Sequence, residues 1–358
     1  MFAERFIRAR KASGLSMQAL ADQVGLSANA IKKYEHGDAM PSSTNLLKLA
    51  KALNVRSEYF FRPTKVELGD VEYRKRANTS MKSLNKIKSD VLDQLERWYE
   101  LLDFFPDSAK PIAPFSLPND LTSCVSHYEE LDGIADRMRE HWGLGLNPIK
   151  DMVDTFEQRG VMVILTSATG DPKFDGLAGN IQGQPLIVIS GGQSGDRQRF
   201  TLAHELGHLV LQGRLSAHID EEKACNRFAG AFLLPTSAAQ QELGNKRTQL
   251  EFRELYMLKH EYGLSMGAIA IRAMQCRIIS DGYYTQLMRQ FSQNGWRTRE
   301  PGEAYRSEHT FLFKQLVYRA LSEEFLGEAK AAELIGTSLA SFNKERKLEV
   351  THATSCVG

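Results

Sequence analysis

No uncharged apolar run in this 358-residue chain is long enough to cross a bilayer. Its first residues, Met1-Phe2-Ala3-Glu4-Arg5-Phe6-Ile7-Arg8, hold no apolar core of signal-peptide length. Cysteine is scarce. Cys124, Cys225, Cys276 and Cys356 stand far apart, with no CxxC pair and none of the density of a small secreted disulfide scaffold. Free thiols in a reducing interior follow, and with them a cytoplasmic location. No internal repeat or low-complexity tract is visible. Net charge is nearly absent too, at +1, but it is unevenly placed. Residues 1–62 carry ten Lys/Arg against five Asp/Glu, so that segment is basic and the remainder net acidic.

What is present is ordinary soluble composition, 42% hydrophobic and 25% charged, in enough length for two or three domains. The patterning predicts a mainly α protein with a small β-sheet (α+β). Residues 1–62 form an N-terminal domain of five short helices. Residues 63–120 are a helical connector and Pro-rich linker, 121–280 a mixed domain, and 281–358 a helical C-terminal region. In the connector, Leu84, Ile87, Val91, Leu95, Trp98 and Leu102 recur at helical spacing behind the basic Arg74-Lys75-Arg76. That helix packs either on its own chain or along a dimer seam. In the mixed domain, 161–165 and 186–189 read as buried strands, with a short strand at 177–181 between them.

The strongest chemical signal is His204-Glu205-Leu206-Gly207-His208, inside an apolar stretch without proline. On a helix two histidines at i,i+4 share one face, which with the adjacent Glu is what a catalytic zinc site needs. A third ligand is expected on 219–233, where Glu222, Cys225 and Asn226 share a face. Glu222 would point at the metal and Asn226, one turn later, would steady a ligand. A small buried Cys225 fits the same face.

The N-terminal segment 15–37 carries a helix-turn-helix pattern. Ser16 and Ser27 suit N-caps, Ala21 allows a close crossing and Gly25 allows the turn. With Glu35-x-Gly37, Pro41 and the 46–55 continuation, it resembles the Xre/lambda-repressor-like family over nearly all of 4–61. The resemblance implies binding to double-stranded operator DNA, usually as a homodimer. By motif position Ala28, Asn29 and Lys33 would face base edges, and Gln18 and Lys32 phosphates.

The pattern Phe200-Thr-Leu-Ala-His-Glu-Leu-Gly-His-Leu followed by Glu222-x-x-x-Asn226-Arg-Phe-Ala and Leu-Leu-Pro235 resembles the ImmA/IrrE metallopeptidases over about 131–280. The resemblance implies a zincin-like fold, Zn2+ on His204, His208 and Glu222, and Glu205 as general base. Where the family often reads Glu-x-Glu-Ala-Asn, this chain has Glu-Lys-Ala-Cys-Asn, which leaves Asp220 and Glu221 as rivals to Glu222. The oxyanion donor stays open among His218, Tyr256, His260 and Tyr262. Together these features imply a DNA-binding regulator with a zinc endopeptidase that cleaves a protein regulator, such as a repressor or antitoxin-like partner. The rival expectation is a non-cleaving repressor or antitoxin whose zinc fold senses metal or binds a partner. Residues 310–340 resume helical patterns and look like the helical tail of fused family members, which implies a packing or partner-binding region, although Ala331, Gly336 and Ser338 faintly suggest another helix-turn-helix.

Overall fold

The computed structural model describes residues 2–62, 72–73, 81–167, 174–181 and 183–348. The elements run α1 (Phe2–Ala12), α2 (Met17–Val24), α3 (Ala28–His36), α4 (Ser43–Ala52), a 3-10 turn (Ser57–Phe61), β1 (Glu72–Tyr73) and α5 (Met81–Leu102). Then come α6 (Glu130–His141), α7 (Met152–Glu157), β2 (Met162–Thr166), β3 (Gly176–Ile181), β4 (Gln184–Ser190), α8 (Gly195–Leu211) and α9 (Glu221–Leu233). The chain ends with α10 (Thr236–Leu243), α11 (Phe252–Tyr262), α12 (Met266–Gln275), α13 (Asp281–Gln293), α14 (Leu312–Ser322), α15 (Glu328–Ile335) and α16 (Leu339–Arg346). Among the described residues no helix is long and apolar enough to cross a membrane. The protein is mainly helical, as expected. The N-terminal module has four α-helices and a 3-10 turn where five helices were expected. Arg74-Lys75-Arg76 lie outside the described residues.

The sheet has the order β1-β3-β4-β2, with β2 parallel to β4 and the other pairs antiparallel. Alternate residues face opposite ways along a strand. Val163, Ile187 and Ile189 therefore join the core under α8, while Met162, Ile164, Leu186 and Val188 join a second core on the other face. With both faces covered, the strands read in sequence as unbroken apolar runs.

Ile87, Val91, Leu95 and Trp98 of α5 form that second core together with Leu316, Val317, Ala331 and Phe342. The heptad-like face of α5 thus lies against the sheet and the C-terminal helices, not along a dimer seam. Sequence spacing cannot tell these cases apart, because either partner buries the same stripe. The stretch expected as a connector and the stretch expected as a tail are packed together as the second layer of the sheet.

The N-terminal module is docked on α5 through buried charge. Arg5 and Arg8 of α1 both donate to the Glu96 carboxylate, Arg8 Nη1 at 2.6 Å, and all three side chains are at most 7% exposed. The Arg5 guanidinium also lies over the Tyr59 ring, 5.3 Å from its centroid. Burial, with Asp93 nearby, pushes the Tyr59 hydroxyl up to about 12. Arg62 pairs with Glu333 of α15 at 2.7 Å.

Glu157, ending α7, is buried, and that burial, followed by the charges of Asp154 and Asp151, pushes its carboxyl up to about 8. The folded state therefore keeps a proton that the unfolded chain releases near its ordinary value. Its stabilising contribution is full below that ordinary value and is lost as pH rises through about 8. Glu157→Gln is expected to flatten the fall in Tm between about pH 5 and about pH 9. Identical pH slopes for wild type and variant would count against this burial.

Candidate metal centre and DNA-facing surface

Helix α8 lies between the sheet and α9, with all but a few of its residues buried, including His204, Glu205 and His208. Its start is fixed by Arg199, which is fully buried and donates to Glu308 Oε1 at 2.7 Å. The other Glu308 oxygen accepts the Met152 N–H at 3.0 Å, so one carboxylate ties α8 to the N-terminus of α7. Gly207 lets α9 come close. A Cβ there would stand 3.2 Å from Phe228 Cδ1 and 3.3 Å from Cys225 Cα, tighter than side chains ordinarily tolerate. Asp132 fixes α9 from the far side, accepting from Arg227 Nε at 3.0 Å and from Arg272 Nη1 at 3.3 Å.

This close crossing brings Glu222 over both histidines. Its carboxylate oxygens lie 3.4 Å from His204 Nε2 and 3.5 Å from His208 Nε2. The other ring nitrogens face acceptors: His204 Nδ1 is 2.9 Å from Asn226 Oδ1, and His208 Nδ1 is 2.9 Å from Glu221 Oε1. An amide oxygen and a carboxylate can only accept, so each Nδ1 is the donor in these contacts, and each Nε2 is the ring nitrogen left facing Glu222. Two imidazole nitrogens and a carboxylate converging on one point fit a divalent zinc ion. His204, His208 and Glu222 form one group able to hold a metal, and His208, Glu221 and Cys225 form another.

Of the rivals to Glu222, Asp220 is spent as the N-cap of α9, its carboxylate accepting the Lys223 N–H. Glu221 meets the back of His208. Sequence spacing placed it only as an alternative ligand, because the helix face it uses becomes clear only once α8 is in place. Cys225 is buried, its Sγ 3.4 Å from His208 Nδ1. Among the oxyanion candidates, His218 Nε2 lies 3.0 Å from the Ser126 carbonyl, and the Tyr262 hydroxyl donates to Glu242 Oε1 at 3.1 Å. Tyr256 accepts the Glu303 N–H and packs against His260, ring centroids 4.6 Å apart. A cavity of about 1070 Å3 is lined by Lys223 and Asn226 of α9 together with Phe200, Ile271, Trp296 and Arg297, while His204, Glu205, His208 and Glu222 are not part of its lining.

Asn226→Ala is expected to weaken metal affinity about 10- to 100-fold while leaving every ligand in place, since His204 loses the acceptor that orients it. Competition with a chromophoric chelator measures this, and an unchanged affinity would rule out that role for Asn226.

In the N-terminal module, Ser16 and Ser27 cap α2 and α3 by accepting from Ala19 N and Ala30 N, as their spacing implies. Gly25 turns the chain at φ 70°, in the left-handed region that glycine tolerates best. Gln18, Asn29, Lys32 and Lys33 are exposed. Ala28 is half-buried against the module's core, which limits what it can offer a base edge. The Gln18 amide donates to Asp22 at 2.8 Å. The basic surplus is partly consumed inside the protein. Arg5 and Arg8 end on Glu96, Arg10 on Glu35 and Arg62 on Glu333. The exposed cations are lysines 11, 32, 33, 48 and 51, with Arg56.

Comparison with known proteins matches both regions. Residues 156–274 match the peptidase M78 family, described as the IrrE N-terminal-like domain, and residues 7–60 match the helix-turn-helix family. Over 52 residues the chain is 40% identical to the cryptic phage CTXphi transcriptional repressor RstR of Vibrio cholerae, covering 14% of this chain and 46% of that protein. Over 64 residues it is 36% identical to the SPbeta prophage-derived uncharacterized HTH-type transcriptional regulator YonR of Bacillus subtilis, covering 18% and 59%. The chain thus spans about half the length of the curated relatives it matches. It joins a helix-turn-helix region to a region of the IrrE-like peptidase family.

Proposed function

We propose that the chain is a cytoplasmic, DNA-binding transcription regulator whose IrrE-like region is a zinc endopeptidase acting on a regulatory protein partner. The observation that carries this reading is the convergence of His204 Nε2 and His208 Nε2 on the Glu222 carboxylate, with both Nδ1 atoms held by acceptors. His204, His208 and Glu222 would hold the zinc ion, which when bound supplies Lewis-acid activation of water and of the scissile carbonyl. Glu205, buried one residue after His204, takes a proton from the attacking water and returns it to the leaving amine. Asn226 and Glu221 keep the imidazoles in one tautomer and one orientation. The neighbouring cavity has an apolar wall of Phe200, Ile271 and Trp296, room for an extended peptide segment. A purely metal-sensing repressor would use the same ligands but has no task for Glu205.

The helix-turn-helix region is assigned to duplex operator DNA, read from the exposed face of α3, with the relatives' repressor and regulator names in support. Operator binding as a homodimer would need a pairing surface other than the α5 stripe, which is buried within the chain. Asn29→Ala and Lys33→Ala are expected to reduce discrimination between operator and random DNA, and Lys32→Ala to weaken both alike. The proteolytic half is tested by incubating a proteome-derived peptide mixture with zinc-loaded wild type or Glu205→Gln. New N-termini are expected with wild type alone. Their absence with both proteins would leave the non-cleaving reading in place.

A further inference from the structure

Four times among the described residues a helix closes with a left-handed glycine and the next starts with a serine N-cap two residues later. The sites are Gly25/Ser27, Gly263/Ser265, Gly336/Ser338 and, inside the N-terminal module, Gly14/Ser16, with glycine φ values of 70°, 64°, 83° and 69°. A shared turn alone assigns no function. The second helix of each pair separates them. After Ser265, α12 is built into the main core through Met266, Ile269, Ala270 and Ala273, and leaves Ile271 as its only exposed residue. It has no face for a groove. After Ser338, α16 buries Phe342 alone.

The likeness between the first and third pairs reaches beyond the turn. Helices α2 and α15 are both eight residues long. A shift of 311 positions superposes Leu20 on Ala331, Ala21 on Ala332, Ile31 on Phe342 and Lys33 on Lys344, and the first three pairs are buried in both copies. The turn bonds also correspond. Leu26 N donates to the Ala21 carbonyl at 2.9 Å, and Thr337 N to the Ala332 carbonyl at 3.0 Å. Each unit has a bracing helix in front. Phe6 of α1 meets Tyr34 of α3 ring to ring, and Tyr318 of α14 stacks on Phe342 of α16 with centroids 5.6 Å apart. Arg10 pairs with Glu35 across the first unit and Lys314 with Glu345 across the second. The sequence alone gives only a faint echo here, in Ala331, Gly336 and Ser338, because the buried residues differ in kind and only spacing and burial are kept.

We propose that α14, α15 and α16 form a second helix-turn-helix whose last helix contacts the backbone of duplex DNA. This rests on the assignment of the N-terminal module to DNA. The outer face of α16 and its C-cap expose Ala340, Ser341, Lys344 and Lys347, and no described carboxylate is paired with either lysine. Small and hydroxyl residues beside two uncommitted cations suit phosphate contact and close approach to a groove. The Arg62–Glu333 ion pair fixes α15 next to the end of the first module. Lys344 and Lys347 set affinity and salt dependence, while base discrimination stays with α3.

The test uses the full chain and a random-sequence duplex of about 40 base pairs, long enough to span more than one docking unit. Affinity is measured across a salt series for wild type, Lys344→Ala/Lys347→Ala and Lys32→Ala/Lys33→Ala. Loss of two phosphate contacts is expected to lower the slope of log affinity against log salt by about 1.8 and affinity by about tenfold. Both lysines are exposed surface groups, and an unchanged Tm for the variant confirms that its fold is intact. If only the α3 variant shifts the slope, the second unit is not a DNA contact and the inference falls while the first assignment stands. If wild type shows no salt-dependent binding at all, both fall together.

Discussion

Zinc content is expected to fall from about one ion per chain to near zero in His204→Ala, His208→Ala and Glu222→Ala, and to stay near one in Glu205→Gln. Three protein donors hold such an ion. Removing one leaves two, too few to compete with water and chelators, and in this protein leaves the other two facing each other across a gap. Glu222 matters as much as the histidines because it faces both Nε2 atoms, at 3.4 and 3.5 Å. Glu205 is not in either group of residues able to hold a metal, so its amide should spare the ion while lowering cleavage about 10^2- to 10^4-fold. Elemental analysis of the purified variants, read beside the peptide assay, separates the two roles. Full zinc occupancy in Glu222→Ala would move the site to the neighbouring group, His208, Glu221 and Cys225.

The second large effect lies at the junction of the two halves. Glu96→Ala is expected to cost about 3–5 kcal/mol of stability, because it takes the shared buried counter-charge from two guanidiniums and leaves Arg8 with Glu4 at 3.6 Å and Arg5 with the Arg62 carbonyl at 3.2 Å. The Glu96 side chain is 7% exposed, and Arg5 and Arg8 are 1% and 6% exposed, so water cannot readily replace the carboxylate. Replacing all three by Leu or Met should recover most of the loss, since a packed apolar cluster avoids the desolvation cost of the ions. Urea denaturation of the single and triple variants decides it. A change under about 1 kcal/mol in Glu96→Ala would place the triad among exposed surface pairs, with α1 not docked on α5.

Local chemistry was legible from the chain itself. The His-Glu-x-x-His string specified a helix with two imidazoles on one face, because helical spacing fixes that geometry without outside help. The capping serines 16 and 27 and the turn at Gly25 were equally legible, since each acts on backbone groups four residues away or fewer. Glu222 and Asn226 could be named as face-mates on one helix. What each would touch could not, because that depends on how closely α9 crosses α8.

Only the tertiary structure decided the rest. Val91 and Leu95 look the same in a dimer seam and in a sheet-covering helix, and the second layer formed by α14 to α16 settles which is present. Arg5, Arg8 and Arg62 count as positive charge in a sequence, yet they end on Glu96 and Glu333, about 90 or more positions away. Glu221 changed from rival ligand to partner of His208 once the second nitrogen of that ring had a direction. Helical periodicity specifies which residues share a face. Long-range packing specifies what that face meets, and the cluster of His204, His208 and Glu222, the docked N-terminal module and the proposed second helix-turn-helix all rest on those meetings.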